Sequence, residues 1–263
     1  MTTDNNCCGN CTAGVSTYSR NRFFYGKLLD VFHFELEQNY FNSKRWLLNR
    51  LVTGYGVVCG LDVQSDSDGQ GIVVLPGVAI DKWGREIIVP KTTVAVPLPP
   101  STDTDAGAGG MAKGPRDCDD GQYVHVVICY HECESDPVPA LGGDCDQNAM
   151  CTPGTIRERY TVQILDGKLP GITTDCTLPD LVAGGRINYP ALVQHVSAPC
   201  RECPDDPCIA LANVRLPQVG AVLRADQIDI AVRPLVFGLD LLHDLLVCLT
   251  NRSSNQDTVR GKG

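Results

Sequence analysis

The stretch that decides the fold is DVFHFELEQNYFNSKRWLLNRLV at residues 30–52, followed at once by TGYGVVCGLDV at 53–63. In the first part, apolar residues recur at three- and four-residue multiples with polar residues between them, as on one face of an α-helix. Asp30 is a suitable N-cap and Gly54 a stop signal. The sequence therefore predicts a helix from about Val31 to Val52. The β-branched second part predicts entry into a β-rich region.

The β-rich region is predicted to cover residues 57–233, where short apolar runs alternate with turns rich in Gly, Pro and Asp. Its strongest strand signals are Tyr123–Cys133, Thr155–Leu165 and Ile209–Leu216. The remaining composition predicts long loops at 101–121, 134–153 and 167–207, with a short helix at Tyr189–Val196 in the last of these.

The end of the chain predicts a second helix. Leucines from Leu235 onward fall on one helical stripe, and Pro234 suits the first helical position. The predicted organisation is a flexible cysteine-bearing arm (1–20), a helical segment (21–56), the β-rich domain, and a C-terminal helix with a polar tail (234–263). The predicted class is α+β, mainly β, with a β-sandwich or barrel-like core between a long N-terminal helix and a C-terminal helix.

Charge and hydropathy exclude several functions. A net charge of -9 and a pI near 4.9 argue against nucleic acid as a partner, because phosphate binding needs a concentrated Lys/Arg face. No stretch approaches the roughly 20 apolar residues of a transmembrane helix, and the polar start does not resemble a secretory signal. We therefore expect a cytoplasmic protein, or one within an assembled particle that is released on lysis.

The 14 cysteines are the most unusual feature of the composition. In a reducing cytosol, clustered cysteines are more typical of metal ligands than of disulfides, although oxidation after release remains an alternative. Two clusters suit zinc, whose ligands are thiolate and imidazole. The first comprises Cys129, His131, Cys133, Cys145 and Cys151, and the second comprises Cys200, Cys203 and Cys208 with Cys176 or His195.

Both clusters also have a simpler interpretation. Cys129 could be a core residue with His131 and Cys133 at a solvated strand end, and the second cluster could be a proline-pinned turn with incidental thiols. A third group, Cys7, Cys8 and Cys11, lacks a local fourth ligand.

Motifs of known enzyme classes are missing from the sequence. It contains no Gly-x-Ser-x-Gly elbow, no phosphate-binding loop and no His-Glu-x-x-His motif. Nothing in the sequence places a base beside a nucleophile. We therefore predict a protein without catalytic activity.

Several segments resemble a bacterial family associated with phage-tail-like contractile injection systems. They are RFFYGKLL at residues 22–29, FELEQNY at 34–40, NRLVTGYGVVCGL at 49–61 and PGVAIDKWGREI at 76–87. IALANVRL at 209–216 is similar to strands of tail-fibre and baseplate accessory proteins. The resemblance implies a structural role and supplies no catalytic residues.

The leading hypothesis is a structural subunit of a contractile particle: a baseplate, fibre-attachment or cap component that binds other protein subunits and forms a homo-oligomer. Its predicted interface is the apolar face of the first helix, formed by Phe32, Leu36, Tyr40, Leu47 and Leu51 and called the flank below. One alternative is a zinc-stabilised module that binds protein or glycan, and another is a metal- or thiol-dependent enzyme.

Overall fold

The structure, a computed structural model, describes residues 17–101, 122–139, 151–172, 182–183 and 186–248 of the 263-residue chain. The predicted arm up to residue 16, the predicted loop from residue 102 to 121 and the predicted polar tail lie outside these residues.

The N-terminal helix α1 spans Val31–Leu48 and continues as a π-helical turn over Asn49–Thr53. Asp30 caps it, since its side chain accepts a hydrogen bond from the His33 backbone N–H at 3.2 Å. The prediction of a helix at this position is confirmed. The wider last turn was not predicted, and it closes with a hydrogen bond from the Gly54 N–H to the Asn49 carbonyl at 2.8 Å.

The strands outnumber the helices, which confirms a mainly-β α+β fold. In chain order the further elements are β1 (Gly56–Gly60), β2 (Val63–Ser65), β3 (Gly71–Val74), β4 (Gly77–Ile80), β5 (Glu86–Val89), β6 (Val96–Pro97), β7 (Tyr123–Pro139), β8 (Cys151–Asp166), β9 (Val182–Ala183), β10 (Arg186–Ile187), α2 (Tyr189–Val196), β11 (Ile209–Arg215), β12 (Ile228–Asp229) and α3 (239–248). The short helix α2 is where the sequence predicted it.

The strands pair antiparallel in four sheets among the described residues. The sheet orders are β12-β11-β7-β8, β1-β4-β5, β2-β3-β6 and β9-β10. The first three sheets share one hydrophobic core, to which they contribute fully buried side chains such as Val126, Leu211, Ile87 and Ile72. Burial of these β-branched and leucine side chains is the main favourable term for the fold.

The prediction of a loop at 134–153 is wrong at both ends of this range. Strand β7 continues to Pro139 and β8 begins at Cys151, and their ladder runs on through the pairs Ser135↔Thr155, Pro137↔Pro153 and Val138↔Thr152. Gly and Pro suggested a loop here because they are poor strand formers. An exposed ribbon tolerates them, since no further strand needs their N–H groups.

The C-terminal helix begins later than the sequence predicted. Residues 234–236 run alongside β1, where the Val57 N–H donates to the Pro234 carbonyl at 2.8 Å and the Val236 N–H donates to the Val57 carbonyl at 3.0 Å. These long-range bonds hold Pro234 outside the helix. Helix α3 therefore starts at residue 239.

None of the helices in the described part of the chain is both long and apolar enough to cross a lipid bilayer.

Candidate protein-interaction site

Helix α1 exposes apolar side chains instead of burying them. Every residue of α1 retains access to solvent. Of the predicted flank, Phe32 and Leu51 are exposed, whereas Leu36, Tyr40 and Leu47 are half-buried. The predicted interface residues therefore remain accessible on this chain.

The exposed apolar surface is wider than the predicted flank. Phe34 lies two residues from Phe32, about 160° around the helix at about 100° per residue, and it is exposed as well. The approach to the helix adds further exposed side chains, namely Phe23, Phe24, Tyr25, Leu28 and Val31. So many exposed large apolar side chains in one segment, on more than one side of α1, suggest a region that binds another protein.

The C-terminal end of α1 is held against the turn between β4 and β5. The Asn49 side-chain amide donates to the Gly84 carbonyl and to Glu86 Oε1, both at 2.8 Å. The Arg45 guanidinium pairs with the same Glu86 oxygen at 3.1 Å. A Cβ at Gly84 would lie 2.1 Å from the Trp46 carbonyl oxygen, so only glycine allows the helix to approach this closely.

A buried ion pair fixes the turn itself. Arg85 Nε donates to Asp81 Oδ2 at 2.7 Å, and Asp81 Oδ1 accepts from the backbone N–H groups of Trp83 and Arg85 at 2.9 and 2.8 Å. The Arg85 guanidinium lies 4.6 Å from the ring centroids of both Trp83 and Tyr130. Burial raises the pKa of the Asp81 carboxyl, and the positive charge of Arg85 opposes that rise. Asp81 therefore depends on Arg85 to remain ionised.

The same turn holds the cysteine-containing segment before β11. Trp83 Nε1 donates to the Pro204 carbonyl at 2.7 Å, and Lys82 Nζ pairs with Asp206 at 3.0 Å. Arg50, at the end of α1, donates to the Arg201 carbonyl at 2.6 Å. We call residues 81–86 the junction, because they join the helix, the sheets and this segment.

The two predicted zinc clusters are not supported in the form predicted. Cys129 of the first cluster and Cys208 of the second form a disulfide across 79 residues, with their Cα atoms 4.5 Å apart. Sulfurs in a disulfide are not thiolate ligands. The pairing follows from the sheet, because Ile209 lies opposite Ile128 and so places Cys208 beside Cys129.

The other predicted ligands are dispersed. Cys203 is disulfide-bonded too. Cys133, Cys151 and Cys200 are exposed free thiols, and His131 is exposed on β7 opposite Arg159. Cys145 and Cys176 lie outside the described residues. Across the described ranges, no three His, Cys, Asp or Glu side chains are grouped so as to hold a metal ion.

The β7–β8 hairpin extends well beyond the core. We call residues 131–138 and 152–159 the distal ribbon, which is about 25 Å long at about 3.3 Å per residue. None of its residues is buried. Asp136 stabilises it across the strands by accepting hydrogen bonds from Thr155 and from Arg157 Nη2, the latter at 2.9 Å. These hydrogen bonds, that of Thr155 first, lower the pKa of Asp136 below its ordinary value.

Sequence reasoning identified the helix and missed the junction. Residues 81–84 were predicted only as a turn. A signal was present, because Asp81 directly follows the apolar run at 78–80 and Arg85 lies four residues further on, across a Gly-containing turn. The partners of the junction lie at least 35 positions away along the chain, as with Asn49, or more than 100, as with Pro204, and local pattern could not indicate them.

No protein-family model matches the sequence, and no curated protein matches it. Among solved structures, the chain is similar to one described as the crystal structure of TssK, with a TM-score of 0.41 and 12% sequence identity. The match covers 92% of this chain and 51% of the TssK chain, so this protein spans about half the length of TssK.

Proposed function

We propose that this protein is a non-enzymatic structural subunit of a bacterial phage-tail-like contractile particle. It acts as a baseplate, fibre-attachment or cap component and works by binding other protein subunits and copies of itself. The observation that carries the proposal is the large apolar surface of residues 22–52, which the residues that the structure describes leave exposed.

Exposure of this surface is unfavourable in water, and its burial at an interface would be a strong driving force. Burying one Phe or Leu side chain is worth roughly 1.5–3 kcal/mol. A few such residues at a repeated, symmetric interface are enough to assemble subunits. The junction supports this role, since it fixes one end of α1 while the flank stays accessible.

The assignment to contractile particles rests on the resemblance of segments 22–29, 49–61 and 76–87. These segments form the approach to α1, its C-terminal turn with β1, and the junction. The resembling segments therefore include the surface that we propose to be an interface.

The experiment compares the native mass of the purified full chain with that of a Phe24→Ser/Phe32→Ser variant, by light scattering and native mass spectrometry. We expect an oligomer for the parent and a shift of at least tenfold in its dissociation constant for the variant. Val94→Ser is the control, because Val94 is 88% exposed and lies outside residues 22–52.

A parent chain that is monomeric at about 100 μM, or equal weakening by Val94→Ser, would contradict the assembly surface. The particle assignment is tested separately, by immunogold labelling of contractile particles purified from cells that express the chain. Labelled particles support it, and unlabelled particles from expressing cells refute it.

A further inference from the structure

A groove of about 1440 Å³ separates α1 from the distal ribbon. On the helix side it is lined by Val31, Glu35, Phe41 and Trp46. On the other side it is lined by residues of the distal ribbon. Trp83 and Arg85 of the junction also lie along it. The groove is distinct from the flank, of which only Leu47 contributes to its lining.

The groove is acidic and its carboxylates are largely unpaired. Glu35 from α1 and Glu132, Glu134 and Glu158 from the ribbon line it. Glu132 accepts a hydrogen bond from the Tyr130 hydroxyl at 2.9 Å. The other three carboxylates have no ion pair or side-chain hydrogen bond within the described parts of the chain.

The cations of the groove do not neutralise these carboxylates. Arg85 is only 2% exposed and is paired with Asp81. Arg50 keeps its charge, since it donates to the neutral Arg201 carbonyl, but one such arginine does not balance four carboxylates. The groove therefore keeps a net negative charge that a positively charged partner would match.

The ribbon places like charges directly opposite each other. Glu132 faces Glu158 across the ladder, and both project toward the groove. Directly opposed like charges destabilise a strand pair. Arg157 and Arg159 lie on the other face of the same ribbon, where they do not offset this repulsion. A bound cationic group in the groove would remove the repulsion.

Two buried hydrogen-bond donors point independently to a ligand with acceptor atoms. Arg85 Nη1 and Trp46 Nε1 both belong to groove-lining side chains, and neither has a hydrogen-bond partner in the structure as described. A polypeptide in the groove would bring both required chemistries, since its backbone supplies carbonyl acceptors and its Lys or Arg side chains supply cations.

The walls of the groove also offer apolar contact. Phe41, Val31 and Ile156 line it and are exposed. An occupant that carried charge alone would leave these side chains in water. The matching segment therefore alternates basic and apolar residues.

We propose that this groove binds a segment of a different protein that carries Lys or Arg together with aliphatic or aromatic side chains. The inference rests on the proposed function, since it names the chemistry of one assembly partner. The net charge of -9 on this chain favours a more basic protein over a second copy as the source of the segment. Nucleic acid is excluded by repulsion between phosphate and the carboxylates.

Tryptophan fluorescence gives a direct readout, because the only two tryptophans of the chain, Trp46 and Trp83, both line the groove. The probe is a synthetic 12-residue peptide of alternating Lys and Leu, titrated into the full chain, with a Glu and Leu peptide of equal length as reference. We expect saturable binding with a change in tryptophan emission for the Lys peptide and none for the Glu peptide.

The decisive variant is Glu132→Gln/Glu134→Gln/Glu158→Gln, and its matched control is Asp68→Asn/Glu202→Gln/Asp205→Asn, which removes three exposed carboxylates outside the groove. We expect the groove variant to bind the Lys peptide at least tenfold more weakly and the control to bind within twofold of the parent. Circular dichroism melting of both variants verifies that they fold.

Equal affinity of the two triple variants, or binding of the Lys peptide without any change in tryptophan emission, would overturn the proposal. The native mass of the Phe24→Ser/Phe32→Ser variant tests the exposed apolar surface of residues 22–52 without changing a residue that lines the groove. Failure of the groove is therefore distinguishable from failure of the proposed function.

Discussion

The two halves of the β7–β8 hairpin share one continuous ladder and differ completely in their surroundings. At the base, Val124, Val126 and Ile128 are fully buried in the core that three sheets share. In the distal ribbon, charged residues alternate on both faces and every side chain is accessible. The base therefore supplies stability, and the ribbon supplies surface for contact with another molecule.

The boundary between the halves is reinforced from both faces. On one face Tyr130 contacts the Arg85 guanidinium, and on the other Cys129 is bonded to Cys208. Burial, and then the hydrogen bond and charge of Glu132, raise the pKa of Tyr130 far above its ordinary value, so its hydroxyl stays protonated. The distal ribbon is therefore anchored at residues 129 and 130, which we call its root.

The largest expected difference in stability is between two arginine–aspartate pairs. One lies in the junction beside the base of the hairpin, and the other lies in the distal ribbon. Arg85→Met removes the one ion-pair partner that the buried Asp81 has in the described part of the chain, and we expect the free energy of unfolding to fall by about 3–5 kcal/mol. Arg157→Met removes the exposed partner of Asp136, where the loss should be about 0–1 kcal/mol. Urea unfolding monitored by circular dichroism measures both.

A third variant checks the cause of the larger loss. Asp81→Asn/Arg85→Met removes the stranded charge and keeps an acceptor for the Trp83 N–H. It should recover part of the stability that Arg85→Met loses. If Arg85→Met and Arg157→Met lower the free energy of unfolding equally, the base and the distal ribbon do not differ in their contribution to stability, and the comparison is incorrect.

Two isoleucines on the same hairpin provide a second, smaller contrast. Ile128 is 0% exposed at the base and Ile156 is 65% exposed on the ribbon. Ile128→Ala creates a cavity in the core and should cost about 2–5 kcal/mol, whereas Ile156→Ala should stay within about 0.5 kcal/mol. Thermal or urea unfolding compares them directly. A large loss for Ile156→Ala would show that the ribbon packs against the chain's own core.

The sequence predicted the elements whose signals are local. The Asp30 cap, the periodicity of α1 and the position of α2 each depend on residues within one or two turns, and each is confirmed. The run of apolar, mostly β-branched residues likewise indicated the base of β7.

The errors all involve distant partners. The start of α3 is displaced because Val57 binds the backbone at Pro234, and the ribbon extends through residues with poor strand propensity because its two strands pair. For the candidate site, the apolar residues of α1 could be identified from their spacing. The junction and the groove could not, because they require the register that brings residues 81–86 and the ribbon toward the helix.

The disulfide at the root of the ribbon is the third and smallest test of the comparison. Cys129→Ala/Cys208→Ala should lower the free energy of unfolding by about 2–4 kcal/mol, since the bond closes a loop of 79 residues and so restricts the unfolded chain. Cys133→Ala/Cys200→Ala, which removes two exposed free thiols, is the matched control and should have little effect. Adding a strong reductant should lower the stability of the parent by more than that of the first variant, which retains the disulfide of Cys203. If the parent instead contains stoichiometric zinc and loses stability on chelation, without any effect of reductant, then Cys129 and Cys208 are metal ligands and the root is held by a different bond.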